Sequence, residues 1–161
     1  MVTRLYVMRH GPAGFHGEWM ASDDLRPLTP KGRAAVEAIA EQLVAAAVTV
    51  DRILTSPLTR AMETAEIVAD RLGVADLLES DPRLEPGFDS EELATILADF
   101  ADANALMLVG HEPDLSGVVY ALIGGGSIDY KKGAVARVDL VSTERPAGAL
   151  VWLMTPGALG H

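Results

Sequence analysis

The residues best suited to chemistry fall in three short segments far apart in the chain: Arg9-His10-Gly11, Ser56-Pro57-Leu58-Thr59-Arg60 and Gly110-His111-Glu112-Pro113. An imidazole flanked by guanidinium groups is held neutral, because nearby positive charge disfavours the imidazolium form, and a neutral imidazole is a nucleophile at physiological pH. Guanidinium groups are permanently charged planar forks that match the oxygens of a phosphoryl group. Phosphoryl transfer asks for such fixed donors and an in-line nucleophile. His10 is the candidate nucleophile, Arg9 and Arg60 are the candidate phosphoryl ligands, and His111 is the second ring of the set. Of the four histidines, His10, His16, His111 and His161, only His10 and His111 directly follow a buried apolar run. His16 and Trp19 belong to a loop, and His161 to the end of the chain.

The elements that must position these residues are legible as an alternation of strand, turn and helix. Leu5 to Met8 is a short apolar run ending at His10-Gly11, the pattern of a buried strand feeding a turn. After a long polar loop, Thr29-Pro30 supplies an N-cap and a first-turn proline for a helix with Val36, Ile39, Ala40, Leu43 and Val44 at helical spacing, ending near Val48. Val50 to Thr55 reads as a second strand. Ser56-Pro57 opens a helix carrying Leu58, Ala61, Ala65, Val68 and Leu72 on one face and stopped by Gly73. Asp89 with Glu92 has the spacing of a capping box before Leu93, Ile96, Leu97 and Phe100, and Ala105 to Val109 is a further buried strand. Pro113 opens a helix through Leu115, Val118, Val119 and Leu122, broken at Gly124-Gly125-Gly126. Ala134 to Val141 and Leu150 to Met154 pair as a late hairpin. The alternation predicts an α/β three-layer sandwich, mostly parallel with an antiparallel edge. In such a fold ligands bind beyond the carboxyl ends of the parallel strands, which is where Arg9, His10, Arg60 and His111 all fall.

Composition bounds the rest. With 161 residues, 49% of them apolar, the chain matches one ordinary domain spanning 1–161 and is too hydrophobic for disorder. No apolar stretch approaches the roughly 20 residues of a membrane span, and no basic-then-apolar leader opens the chain, so the expectation is a soluble cytoplasmic protein without membrane partners. Thirteen Lys and Arg against 23 Asp and Glu give a formal net charge of −10, which repels nucleic acid at long range but permits a local cationic cleft. Zero Cys excludes disulfides, thiol nucleophiles and thiolate zinc sites. His111-Glu112 fails the zinc-protease pattern, because Leu115 stands where the second ligand belongs and Pro113 intervenes. No metal and no cofactor are expected. Gly124 to Gly126 lacks the Lys-Ser or Lys-Thr of a phosphate loop, and the Ser56 segment lacks the glycines of a nucleophile elbow.

Four motifs in order carry a resemblance. Arg9-His10-Gly11, the segment Asp23 to Gly32 (DDLRPLTPKG), Ser56-Pro57-Leu58-Thr59-Arg60-Ala61 with Thr64-Ala65, and Gly110-His111-Glu112-Pro113 are together similar to the histidine phosphatase superfamily, also called phosphoglycerate-mutase-like. Within it the chain resembles the short phosphohistidine phosphatase branch, over nearly its whole length. The resemblance implies that Nε2 of His10 forms a phosphohistidine intermediate, that a backbone carbonyl holds its Nδ1–H, that His111 binds phosphoryl oxygens, and that water then cleaves the phosphoenzyme.

The expected activity is a cofactor-independent phosphatase acting on phosphohistidine in a phosphorylated protein. The alternatives are a small-phosphomonoester phosphatase of the same family and a phosphate-binding module without turnover. Between Leu72 and Ser90 there is no room for a large cap over the pocket, which suits a protein-borne donor. Glu85, in Arg83-Leu84-Glu85-Pro86-Gly87, stands near the family position of a general acid, which an alkoxide leaving group needs and an imidazole needs less. It also reads as a solvated residue of the Pro82 to Gly87 turn. Arg26 and Gly11 are the expected substrate-binding positions, although Arg26 could instead anchor the loop through Asp23 or Asp24. Arg60 has its own structural alternative, an ion pair with Glu63 or Glu66. A monomer is compatible with the sequence.

Overall fold

The computed structural model describes the backbone of residues 1–161 and every side chain except that of His16. Its ordered elements are β1 (Arg4–Arg9), α1 (Pro30–Ala45), β2 (Arg52–Thr55), α2 (Thr59–Leu72), β3 (Leu78–Ser80), α3 (Ser90–Asp99), β4 (Ala105–Gly110), α4 (Asp114–Ile123), β5 (Val135–Ser142) and β6 (Ala147–Met154). Short 3-10 turns at His16–Glu18, Asp23–Leu25, Ala75–Leu77, Pro82–Leu84 and Pro156–Leu159 complete it. Among the described residues no helix is long and apolar enough to cross a membrane.

One six-stranded sheet has the order β3-β2-β4-β1-β5-β6. β1, β2, β3 and β4 run parallel, whereas β5 is antiparallel to β1 and β6 to β5. Period-2 alternation sorts the strand side chains onto two faces. Tyr6, Met8, Ile53, Met107 and Val109 pack with Val36, Ile39 and Leu43 of α1 and Ala61, Ala65 and Val68 of α2. Leu5, Val7, Leu54, Leu106 and Leu108 face the other way, onto Leu93, Ile96 and Leu97 of α3 and Leu115, Val118 and Leu122 of α4. Helices on both faces make β4 buried along its whole length, which explains its uninterrupted apolar run. At about 1.5–3 kcal/mol for each fully buried large aliphatic side chain, these two layers are the main source of stability.

The helix ends follow local chemistry. Thr29 caps α1 by accepting from the Gly32 N–H at 2.9 Å, with Pro30 in the first turn. Asp89 caps α3 by accepting from Glu91 and Glu92 N–H groups. The expected reciprocal half of that box is not formed, since Glu92 Oε2 is buried without a partner among the described residues. Gly73 closes α2 in the left-handed region at φ 71°, as its place after Leu72 predicts.

Several elements differ from expectation, among them β2, which begins at Arg52 and not at Val50. α1 stops at Ala45, ahead of Val48, because Ala47 turns to φ 54° and leaves the helical path. β3 has no counterpart in the sequence reading: it is three residues long and pairs only with β2, and its half-buried to exposed residues carry no apolar signature. β6 begins at Ala147, before Leu150, because the pairing with β5 extends through Gly148 across register shifts. A Cβ on Gly148 would sit 2.5 Å from Asp139 O, so only glycine admits this close approach.

Candidate active site

Parallel register decides what meets. Arg9 of β1 lies opposite Gly110 of β4, so His10 and His111, each one residue further on, emerge side by side at the carboxyl edge. Their ring centroids are 5.2 Å apart with the planes at 53°. Thr55 of β2 lies opposite Val109, which brings Ser56 to the same edge, where its Oγ is 2.8 Å from His111 Nε2. Arg60 arrives from the first turn of α2.

His10 is 7% exposed, and its Nδ1 is 2.7 Å from Gly11 O. A carbonyl only accepts, so Nδ1 carries the proton and Nε2 keeps the lone pair. Burial, with lesser effects from His111, Arg60 and Arg9, pushes the His10 pKa down to about 3, against the opposing Gly11 hydrogen bond. His111 is lowered to about 4, chiefly by burial and then by Arg60 and Arg9, while Asp23 acts the other way. Both rings are therefore neutral at physiological pH.

The guanidinium groups are held by part of their donors only. Arg9 donates from Nη1 to Tyr130 O at 2.8 Å, and Arg60 donates from Nη1 to Asp23 O at 3.1 Å. Arg60 Nη2 lies 3.4 Å from the Asp23 carboxylate, while Glu63, its alternative partner, is taken by Arg33. Among the described residues, four buried side-chain polar atoms lack a hydrogen-bond partner: Arg9 Nε, Arg60 Nε, His111 Nδ1 and Glu92 Oε2. Three of these belong to the site. Buried polar groups are nearly always paired, so unsatisfied nitrogens gathered at one strand edge indicate a place built for an anion.

The cleft at this edge holds about 350 Å³ and is lined by Arg9, His10, Gly14, Phe15, Arg26, Arg60, Pro86, His111, Glu112 and Lys132. Arg9, Arg26, Arg60 and Lys132 give it a local field opposite in sign to the net charge of the chain. Arg26 reaches the cleft and anchors the loop as well, donating to Asp23 Oδ1 at 2.9 Å, to Ala13 O at 3.1 Å and to Gly14 O at 2.9 Å. Gly11 acts differently from expectation. Its N–H donates to Thr64 Oγ1 at 3.0 Å and its carbonyl holds His10, so both its polar groups are engaged within the protein. A Cβ there would be 2.5 Å from Val36 Cγ2, which makes Gly11 a packing requirement between β1 and α1.

Glu85 is exposed and does not line the cleft. Arg83 donates to Asp81 and Asp99, the latter at 2.7 Å, and the Gly87 N–H donates to Asp114 at 2.8 Å. This bracing of the turn presents Pro86 to the cleft and Glu85 to solvent. The carboxylate that does line the cleft is Glu112, which accepts from the Ser116 N–H at 2.7 Å and the Ser116 hydroxyl at 2.8 Å. Tyr130 and Lys132, on the connection between α4 and β5, were not singled out by sequence reasoning, because no recognisable motif contains them. Among the described residues no group of three or more His, Asp or Glu side chains could hold a metal ion.

Comparison with known proteins agrees with this geometry. The family model described as histidine phosphatase superfamily (branch 1) matches residues 5–88. The phosphohistidine phosphatase SixA of Escherichia coli (strain K12) is 30% identical over 156 residues, covering 95% of this chain and 94% of that protein. An uncharacterised protein of Picosynechococcus sp. is 37% identical over 140 residues, 81% of each chain. The structure of the protein histidine phosphatase SixA complexed with tungstate superposes with a TM-score of 0.87 at 30% identity, covering 97% of this chain and 99% of that one. With its motifs gathered on one strand edge and its fold shared over nearly its whole length with the SixA structure, the chain belongs to the histidine phosphatase superfamily, branch 1.

Proposed function

We propose that this chain hydrolyses the N–P bond of phosphohistidine carried on a protein, with His10 as the nucleophile. The observation that carries the proposal is the 2.7 Å contact from His10 Nδ1 to Gly11 O, which leaves Nε2 as the available lone pair of a neutral ring beside Arg9, Arg60 and His111. Nε2 attacks phosphorus in line as the substrate's N–P bond breaks, and the departing imidazole takes up a proton from solvent water. Arg9, Arg60 and His111 bind the equatorial oxygens, where charge accumulates. If Ser56 donates to His111 Nε2, the proton of that ring sits on Nδ1 and faces an oxygen of the bound group. Water then attacks the phosphorus of phospho-His10, releasing inorganic phosphate and restoring the ring.

The nature of the donor is supported by the similarity to the E. coli phosphohistidine phosphatase and by the span between Leu72 and Ser90, which holds only β3 and short turns beside the cleft. An imidazole leaving group also needs less protonation than an alkoxide, consistent with a Glu85 carboxylate that stays outside the cleft. Parallel turnover measurements test the reading. The expected result is a kcat/KM on a phosphohistidine protein well above that on a panel of alkyl phosphomonoesters. Preference for a small phosphomonoester would overturn it in favour of a metabolite phosphatase, and phosphate binding without release of product would overturn it in favour of a binding module.

A further inference from the structure

The chain contains only three lysines, Lys31, Lys131 and Lys132, against ten arginines. All three line one surface hollow of about 410 Å³, together with Pro12, Ala35, Thr155, Pro156 and Gly157. Lys31 comes from the first turn of α1, Lys131 and Lys132 from the turn before β5, and Pro156 from the last 3-10 turn, so distant segments converge here. Lys132 also lines the catalytic cleft, which makes the hollow an extension of that cleft across the surface. The lysine turn is fixed to the active site: the Gly133 N–H donates to His10 O at 2.9 Å, and Tyr130 O accepts from Arg9. Lys131 pairs with Asp129 at 2.6 Å, whereas Lys31 and Lys132 make no ion pair among the described residues.

We propose that this hollow is the docking surface for Asp and Glu side chains flanking the phosphohistidine on its carrier protein, a proposal that rests on the phosphohistidine reading. Its division of labour follows from the residue types. Arginine forks, suited to a phosphoryl group, dominate the cleft, whereas the hollow is lined by no arginine and by all three flexible point-charge ammonium groups, suited to scattered carboxylates, with Lys132 shared between the two. Because Lys132 lines both spaces, a molecule whose phosphoryl group sits at His10 can extend its body from the cleft into the hollow. Charge complementarity selects an acidic body. The net charge of −10 does not prevent this, because charges beyond a Debye length of about 8 Å are screened at physiological salt while adjacent lysines act at contact range. Lys132 is held below the ordinary lysine pKa by burial and by Arg9 and Arg26, so a carboxylate arriving there relieves an existing repulsion.

The experiment compares three probes at low and high salt: free phosphohistidine, a phosphohistidine peptide flanked by Glu and Asp, and the same peptide flanked by Gln and Asn. Wild type is expected to show roughly tenfold higher kcat/KM on the acidic peptide at low salt, with the preference shrinking at high salt. Lys31→Gln with Lys131→Gln, both exposed and outside the catalytic cleft, should abolish most of that preference while turnover of free phosphohistidine is unchanged. Equal turnover of the two peptides by wild type, or a preference that survives the double substitution, overturns the docking surface while leaving the phosphohistidine reading intact. If no phosphohistidine probe turns over, that reading is what fails. Docking is then decided by calorimetry with the unphosphorylated acidic peptide: weaker binding to the double variant supports the surface, and equal binding refutes it.

Discussion

His10 and His111 face each other at 5.2 Å because Arg9 and Gly110 are register partners in adjacent parallel strands. Two rings so close, in a cleft already holding Arg9 and Arg60, cannot both be charged at modest cost. Titration followed by NMR on ring protons should place His10 at about 3 and His111 at about 4, both far below the ordinary 6.5. A His10 midpoint near 6.5 would mean that the ring is partly protonated at physiological pH, which the proposed nucleophile does not tolerate.

The same shifts fix a pH dependence of stability. As pH falls below 6.5, the unfolded chain takes up protons on these positions before the folded one does, so the fold loses stability progressively from 6.5 down toward about 4 and about 3. Above that window the two rings contribute no pH dependence. Urea unfolding of His10→Ala should therefore show a shallower decline than wild type across this range; parallel curves would contradict the assignment.

Gly32→Ala probes how the fold positions His10. A Cβ at Gly32 would lie 2.0 Å from Pro12 O, a backbone atom two residues beyond His10. The clash must move either α1 or the loop, at a cost of about 1–3 kcal/mol in stability. Unfolding midpoints should fall and turnover should fall with them, whereas an unchanged midpoint would show that the contact is slack.

Much of this site is legible in the sequence. Arg9, His10, Arg60 and His111 each follow an apolar run or a Ser-Pro turn, so the rule that ligands sit beyond parallel strand ends brought them together. What escaped had weaker local signals. β3 is a three-residue edge strand without an apolar face. Lys132 and Tyr130 come from a connection whose path is set by tertiary contacts, above all the Tyr130 hydroxyl donating to Val7 O and the Gly133 N–H donating to His10 O. Sequence distance to the family's acid position suggests Glu85, but the turn braced from Asp81 through Arg83 to Asp99 leaves Glu85 outside the cleft.

Glu85→Gln should consequently leave turnover of aryl and alkyl phosphates, and of phosphohistidine, within about twofold of wild type, as for other exposed substitutions away from a site. A loss confined to alkyl phosphates would instead make Glu85 a general acid that enters the cleft during turnover.

Ser56→Ala removes the only described partner of His111 Nε2, at 2.8 Å. With one neutral hydrogen bond worth about 0.5–1.5 kcal/mol, kcat is expected to fall roughly 2- to 10-fold, with a modest drop in the midpoint of unfolding because Ser56 is buried. No change in kcat would indicate that His111 is oriented by packing alone.

Trapping the covalent intermediate tests the central claim most directly. Rapid quenching of turnover with labelled substrate, followed by peptide mapping, should find a label that is lost in acid, survives base and lies on the peptide carrying His10. His10→Ala should give no label, and Arg9→Ala or Arg60→Ala should slow its formation on the order of 10²-fold or more, as for loss of one preorganised donor to a developing charge. A base-labile acyl phosphate, or a label on any other peptide, would contradict the account.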